Sequence, residues 1–157
     1  MTSVSTPDPE SARALIDANA YMTLATADRD GRPWASPVWF AHDDYTTFIW
    51  VSRPEARHSR NVESRPQVAI VIFDSTVPEY TAEAVYVEAE AEWVGDAEQD
   101  HAIEVFSRRS QARGGEAWTL DNVTPPAGLR MYRATASAHY LLDTHDRRVP
   151  VNPAAAA

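Results

Sequence analysis

FIWVSRPEARHSRNVESRPQVAIVIF, residues 48–73, decides how this chain is read. Two apolar, β-prone runs (48–52 and 67–73) flank a segment holding four of the chain's fourteen basic residues: Arg53, Arg57, Arg60 and Arg65. Aromatic and β-branched residues dominate both runs, the composition of buried strands. Between them, Ser52-Arg53-Pro54-Glu55 has the S-x-x-E form of a capping box with proline in the first turn. A helix is therefore predicted to start there and to end before Pro66. The chain as a whole is acidic, at net charge -9, so this cluster runs against the global balance. Cations gathered at a helix start between two strands suggest a seat for a small anion, with phosphate the obvious candidate.

Working outward, 157 residues suit one domain with a real core, and 44% hydrophobic content excludes wholesale disorder. No apolar run reaches the length of a membrane span, and the N-terminus, MTSVSTPDPE, is polar and acidic. The expectation is a cytoplasmic protein with no membrane partner. The chain has no cysteine, which removes disulfides, thiolate metal sites and cysteine nucleophiles. Every basic residue other than histidine is arginine, so Schiff-base chemistry on a lysine is excluded as well. The acidic balance leaves no broad basic face, which argues against nucleic acid as a partner.

Residues 1–7 read as a flexible tail. Asp8-Pro9-Glu10 can cap a helix running to about residue 20, with Ala14, Leu15 and Ala18 as its apolar stripe. Strands are predicted over 21–27, 34–41, 46–52, 67–73, 84–94 and 129–142, with Asp28-Arg29-Asp30-Gly31 as a hairpin turn. In the fifth strand Val85, Val87, Ala89, Ala91 and Trp93 share one face and Glu88, Glu90 and Glu92 the other. This makes Trp93 a core residue and the glutamates a solvated face. A helix is expected over 96–112, stopped by Gly114-Gly115, and residues 154–157 as a frayed tail. About six strands joined mostly by hairpins, with no βαβ alternation, favour a small closed barrel with peripheral helices.

YMTLATADRDGRPWASPVWF, the arginine-bearing stretch and VYVEAEAEWV occur in an order that resembles the pyridoxamine 5'-phosphate oxidase-like flavin-binding split barrels, over residues 20–142. The resemblance implies a mainly β fold with peripheral helices: a six-stranded antiparallel split barrel at 21–142, preceded by a tail and helix (1–20) and followed by a C-terminal tail (143–157). It also implies a homodimer with a flavin in each of two interface grooves. Carried onto this chain, Ser36, Pro37, Val38, Trp39 and Phe40 lie along the flavin ring. Trp50, Val51 and Ser52 lead into the phosphate seat, Arg57 and His58 take the place of an arginine-lysine pair, and Asn61 fits an "RN" position. The chain departs from vitamin B6 oxidases at Ser36 and Ala41, where basic residues are expected, and at His58, where lysine is expected. Their C-terminal arginine-histidine signature is not recognisable in ASAHYLLDTHDRRVPVNP.

Several residues carry two readings. Arg53, Arg57 and Arg60 share one face if helical, either to hold phosphate or to pair with Glu55 and Glu63 on a solvated surface. Trp34, Trp39 and Trp50 either wall a planar heterocycle or anchor core and dimer interface. His139, Asp143 and His145 lack ligand spacing, so no metal site is assigned. The resulting expectation is a flavin-dependent oxidoreductase with FMN, no assigned catalytic side chain, and a small planar or aromatic substrate in a groove lined by Trp39 and Trp50. A deazaflavin coenzyme is the main rival cofactor. A non-catalytic flavin module, or a haem-binding one with His58 or His139 as ligand, stands further off.

Overall fold

The structure, a computed structural model, describes residues 8–154; the expected tail at 1–7 and residues 155–157 lie outside the described residues. Helix α1 (Pro9–Ala18) starts as its sequence predicts, with Asp8 accepting from the Glu10 amide at 3.0 Å. Its buried residues are Ala12 and Ile16 rather than Ala14 and Ala18. Strands β1 (Tyr21–Ala27) and β2 (Pro33–Trp39) form a hairpin. Asp28 closes it by accepting from the amides of Asp30 and Arg32, both at 2.9 Å, while Gly31 takes a φ of 82°, where a side chain would be strained.

Next come β3 (Ala41–Asp43), β4 (Thr47–Ser52), α2 (Arg57–Ser64), β5 (Gln67–Phe73), β6 (Ala84–Trp93), α3 (Gln99–Ala112), β7 (Arg130–Leu142) and β8 (Arg148–Val151). The six expected strands are present, joined by the short β3 and β8. All pairings are antiparallel, in the order β2-β1-β5-β6-β7-β4-β3, with β8 on β7. The two strands that end this path, β2 and β3, are consecutive in the chain and separated only by Phe40. A sheet whose opposite edges are tied by one residue has to curl until they meet. That chain connection makes the half-barrel.

Inside the curl, Met22, Leu24, Phe40, Phe48, Trp50 and Ile70 form the main core, with Ile16 of α1 packed against it. A second core lies outside, where Ile49 and Met131 pack under Ile103 and Phe106 of α3. Strand β4 is thus covered on both faces, which is why it reads as a continuous apolar run. Trp93 is a correction: it is 58% exposed. The strand ends there, the Val94 amide donates to the Met131 carbonyl at 3.0 Å, and Val94 takes the buried place under α3.

Two further expectations fail. The capping box does not form: α2 begins at Arg57 behind Ala56, with no side-chain cap, because the Ser52 hydroxyl is engaged with His58. Arg53 therefore sits in a turn and shares no helical face with Arg57 and Arg60. The segment 143–157 is not simply a tail, since Arg148–Val151 pairs with β7. Asp143 builds this second hairpin as Asp28 builds the first, accepting from the amides of His145 and Arg147 at 2.8 and 2.9 Å.

Candidate functional site

The segment between β4 and β5 is braced from several sides. The Ala56 amide and the Ser59 hydroxyl both donate to the Arg53 carbonyl, at 3.1 and 2.8 Å, fixing the turn that launches α2. No side chain caps α2, so its first-turn amides stand at the positive end of the helix dipole without a side-chain partner. At this end Arg57 is exposed, its guanidinium carbon 4.2 Å from the centre of the Trp34 ring on β2. Below it, buried Asn61 donates from Nδ2 to Thr26 Oγ1 at 3.0 Å, tying α2 to β1. Arg53 lies against the loop before β7, where a methyl group added at Gly128 would stand 2.9 Å from Arg53 Nη1. Glycine keeps that space open for the guanidinium.

His58 is half-buried, and its Nε2 lies 2.8 Å from the Ser52 hydroxyl. Burial pushes its pKa below the ordinary histidine value, so the ring is neutral at pH 7. The seat's charge therefore comes from arginine. Asp28 has its carboxyl held low by the Arg32 amide first, against some burial, then by the Asp30 amide and the charges of Arg32 and Arg57. Exposed arginines and helix-start amides on one short segment are groups of the kind that bind phosphate by charge-assisted hydrogen bonds.

Of the sequence-predicted site residues, the structure joins Ser52 to His58, and Arg57 precedes His58 in the first turn of α2. The others it disperses. Phe40 and Trp50 have no exposed surface, and Val38 and Ser36 face inward with them, so their side chains cannot bed a ligand on this chain. Trp50 instead stacks on Tyr132, with ring centres 5.8 Å apart. Trp39 and Val51 pack on the opposite side of the sheet under α3, Trp39 meeting Phe106 edge-on at 5.1 Å. The expected groove between Trp39 and Trp50 therefore does not exist, because the two rings lie on different faces. Asn61 is spent on Thr26, and Pro37 alone of the predicted ring bed is exposed.

Sequence reasoning missed Trp34 as the partner of Arg57, Thr26 as the anchor of Asn61, and Gly128. Trp34 was legible as one of the three tryptophans, of five in the chain, that could wall a ring; its pairing was not, because it depends on α2 lying over the β1–β2 hairpin. His139, one haem-ligand candidate, is buried with its Nε2 2.8 Å from the Tyr45 carbonyl. With the Nε2 of His58 and of His139 both engaged inside the chain, neither fits an axial ligand as it stands. Among the described residues, no group of three or more histidines and carboxylates gathers to hold a metal, and no helix is long and apolar enough to cross a membrane.

A curled antiparallel sheet with an arginine-bearing seat between its fourth and fifth strands defines a split-barrel protein. The sequence profile of the family described as pyridoxamine 5'-phosphate oxidase matches residues 8–141, and the chain belongs to that family. It is 33% identical over 96 residues to a pyridoxine/pyridoxamine 5'-phosphate oxidase of Myxococcus xanthus, covering 61% of this chain. It spans only 44% of that relative's length. Among solved structures it is similar to a haem-binding protein from Mycobacterium smegmatis, at TM-score 0.74 and 19% identity, over 96% of this chain and 60% of that one. It is also similar to an F420 reductase, at TM-score 0.59 and 22% identity, over 81% of this chain and 94% of that one. At these identities the likeness is one of fold.

Proposed function

We propose that this chain is a homodimeric, cytoplasmic flavin-binding oxidoreductase that seats the phosphate of FMN at the start of α2 and acts on a small planar substrate. The observation that carries it is the exposed guanidinium of Arg57, held at a helix start by Trp34 in a chain of this family. The residues present fit a phosphate: Arg57 and Arg53 are both exposed on this segment, no hydrogen bond within the chain takes up the Arg57 guanidinium, and Gly128 leaves room for that of Arg53. When bound, the flavin ring supplies the two-electron chemistry. The chain's part is to anchor the phosphate through Arg57 and to orient the Ser52 hydroxyl through His58.

A homodimer is supported by the outer face of the hairpin, where Ala25, Ala35, Pro37 and Ala69 form an exposed strip of small apolar residues on adjacent strands. Vitamin B6 oxidation is not proposed. The C-terminal arginines are occupied, Arg147 by Asp143 and Arg148 by Asp146 and the Tyr86 ring. A deazaflavin coenzyme is the second reading, favoured by the likeness to the F420 reductase over almost all of that chain.

The absorbance spectrum of purified protein, followed by titration with FMN and with a deazaflavin coenzyme, tests this. A flavin spectrum and saturable FMN binding support the first reading, and a deazaflavin band the second. A protein that stays colourless through both titrations overturns the proposal. Arg57→Ala is expected to weaken FMN binding by about 1.5 kcal/mol, the lower end for a hydrogen bond to a charged group at an exposed site. Light scattering of the native protein is expected to give twice the chain mass; a monomer overturns the dimer.

A further inference from the structure

Arginine side chains in this molecule are mostly tied down. Arg133 pairs with Glu92 and Glu98, Arg108 with Glu104, and Arg147 with Asp143. Arg109 and Arg113 donate to carbonyls at the end of α1. Arg57 is held differently. Its close contact among the described residues is with the face of an indole, 4.2 Å from guanidinium carbon to ring centre; its charge also acts on the Asp28 carboxyl, but no carboxylate or carbonyl hydrogen-bonds its N–H groups. A salt bridge would fix the side chain by consuming its donors. A ring face fixes it while consuming none, since the attraction is between the cation and the ring quadrupole.

Trp34 is itself well placed to do this. It stands opposite Thr26 in the hairpin, its carbonyl accepting from Thr26 Oγ1 at 3.5 Å, and Thr26 is the residue that Asn61 of α2 grips. The ring and the helix that carries Arg57 are thus linked through one buried hydroxyl. Trp34 is 41% exposed, so its ring face is open to the guanidinium and the guanidinium's outer side is open to solvent.

We infer that Trp34 is the positioning residue of the phosphate seat: it pre-orders Arg57 with all its donors free, and so sets how strongly the protein prefers a phosphorylated flavin to its dephosphorylated form. The inference rests on the flavin-phosphate reading above. Holding a long side chain in its binding geometry removes part of the ordering cost at the moment of binding. An exposed cation-ring contact of this kind is worth a two- to fivefold change in affinity, about 0.5–1 kcal/mol.

The test is the ratio of the dissociation constants of riboflavin and FMN, read from flavin fluorescence for the wild type, Trp34→Leu, Trp34→Phe, Arg57→Lys and Arg57→Ala. Trp34→Leu is expected to lower the ratio about two- to fivefold through FMN alone, with riboflavin affinity unchanged. Trp34→Phe should retain most of the preference, because a ring face remains. Arg57→Lys should lose part of it and Arg57→Ala nearly all. If Trp34→Leu leaves the ratio intact while Arg57→Ala collapses it, the seat stands and the role of Trp34 is wrong. If Trp34→Leu weakens both ligands equally, Trp34 is merely structural or a ring contact, and the inference is again overturned. A wild-type ratio near one removes the phosphate seat itself, and this inference with it.

Discussion

Replacing Asn61 with alanine separates two roles that the sequence alone confuses. As a cofactor contact, Asn61 should matter to flavin and little to folding. The structure gives it a structural role: its side chain is 4% exposed and donates at 3.0 Å to Thr26 Oγ1, which is also 4% exposed. Losing a buried neutral hydrogen bond costs about 1 kcal/mol net, and leaving the Thr26 oxygen without its donor beside a small void adds about another. The expected destabilisation is thus about 2 kcal/mol, or about 4–8 °C in Tm for a chain of this size. Thr26→Val should cost about 1–3 kcal/mol, because it strands the Asn61 amide. The double variant should recover about 1 kcal/mol of the summed losses, since residues in direct contact do not add.

The assay is urea and thermal unfolding of flavin-free protein, because bound ligand would itself raise the apparent stability. The reasoning fails if flavin-free Asn61→Ala unfolds within 0.5 kcal/mol of wild type while its FMN affinity drops tenfold. Asn61 would then be the ligand contact that its sequence position suggests.

Three other outcomes are expected. Arg109→Ala removes a guanidinium that donates to the carbonyls of Ile16, Asp17 and Asn19 at 3.1–3.3 Å; it should lose about 2 kcal/mol in urea unfolding, and exposed Arg113→Ala less than half of that. Trp93→Ser, at a site 58% exposed, should change stability by less than about 0.5 kcal/mol, whereas Trp50→Ala in the closed core should cost about 3–5 kcal/mol in the same assay. Burial depresses the pKa of both His58 and His139, so the unfolded chain binds protons that the folded chain resists. Stability should be full above about pH 6.5 and fall below it, by at most about 1.4 kcal/mol per pH unit for each group and less for half-buried His58; His139→Gln should flatten the slope measured by urea unfolding between pH 7 and 5.

How much of this was legible depends on whether the determining contact was local. Strands β4 and β5 and the turn at Asp28 are written in period, composition and one glycine. The hairpin at Asp143 uses the same carboxylate-to-amide closure, yet it escapes a sequence reading because Asp146, at φ 61°, stands where Gly31 marks the first turn. The capping box failed for a related reason. Ser52 carries the right side chain, but His58 six residues on offers it a better-placed partner than the helix amide. Trp39 and Trp50 were joined into one groove because each alternates correctly on its own strand. Which side of the sheet each faces depends on strand order, and β2 and β4 are separated by four other strands along the path from β2 to β4.

On the proposed reading, that same strand order explains why the candidate phosphate end lies within one chain and the ring end does not. The anion seat draws on consecutive residues of β4 and α2 together with Trp34, all brought together by a single hairpin and helix. Apart from exposed Pro37, the ring bed expected on β2 has its side chains turned into the core or under α3, so what β2 can still offer is mainly backbone. As the first strand of the path it has one edge outside the ladder, where N–H and C=O groups are free for a planar, polar heterocycle. Beside that edge lie Ala35 and Pro37, small enough to let a ring or a second barrel approach the backbone closely. A flavin held as proposed would be recognised by its phosphate on one chain and by shape on the strip between two. Substitutions at the seat should therefore act on affinity for the phosphate, and substitutions of small residues on the outer face of β2 should act on the ring and on dimerisation together.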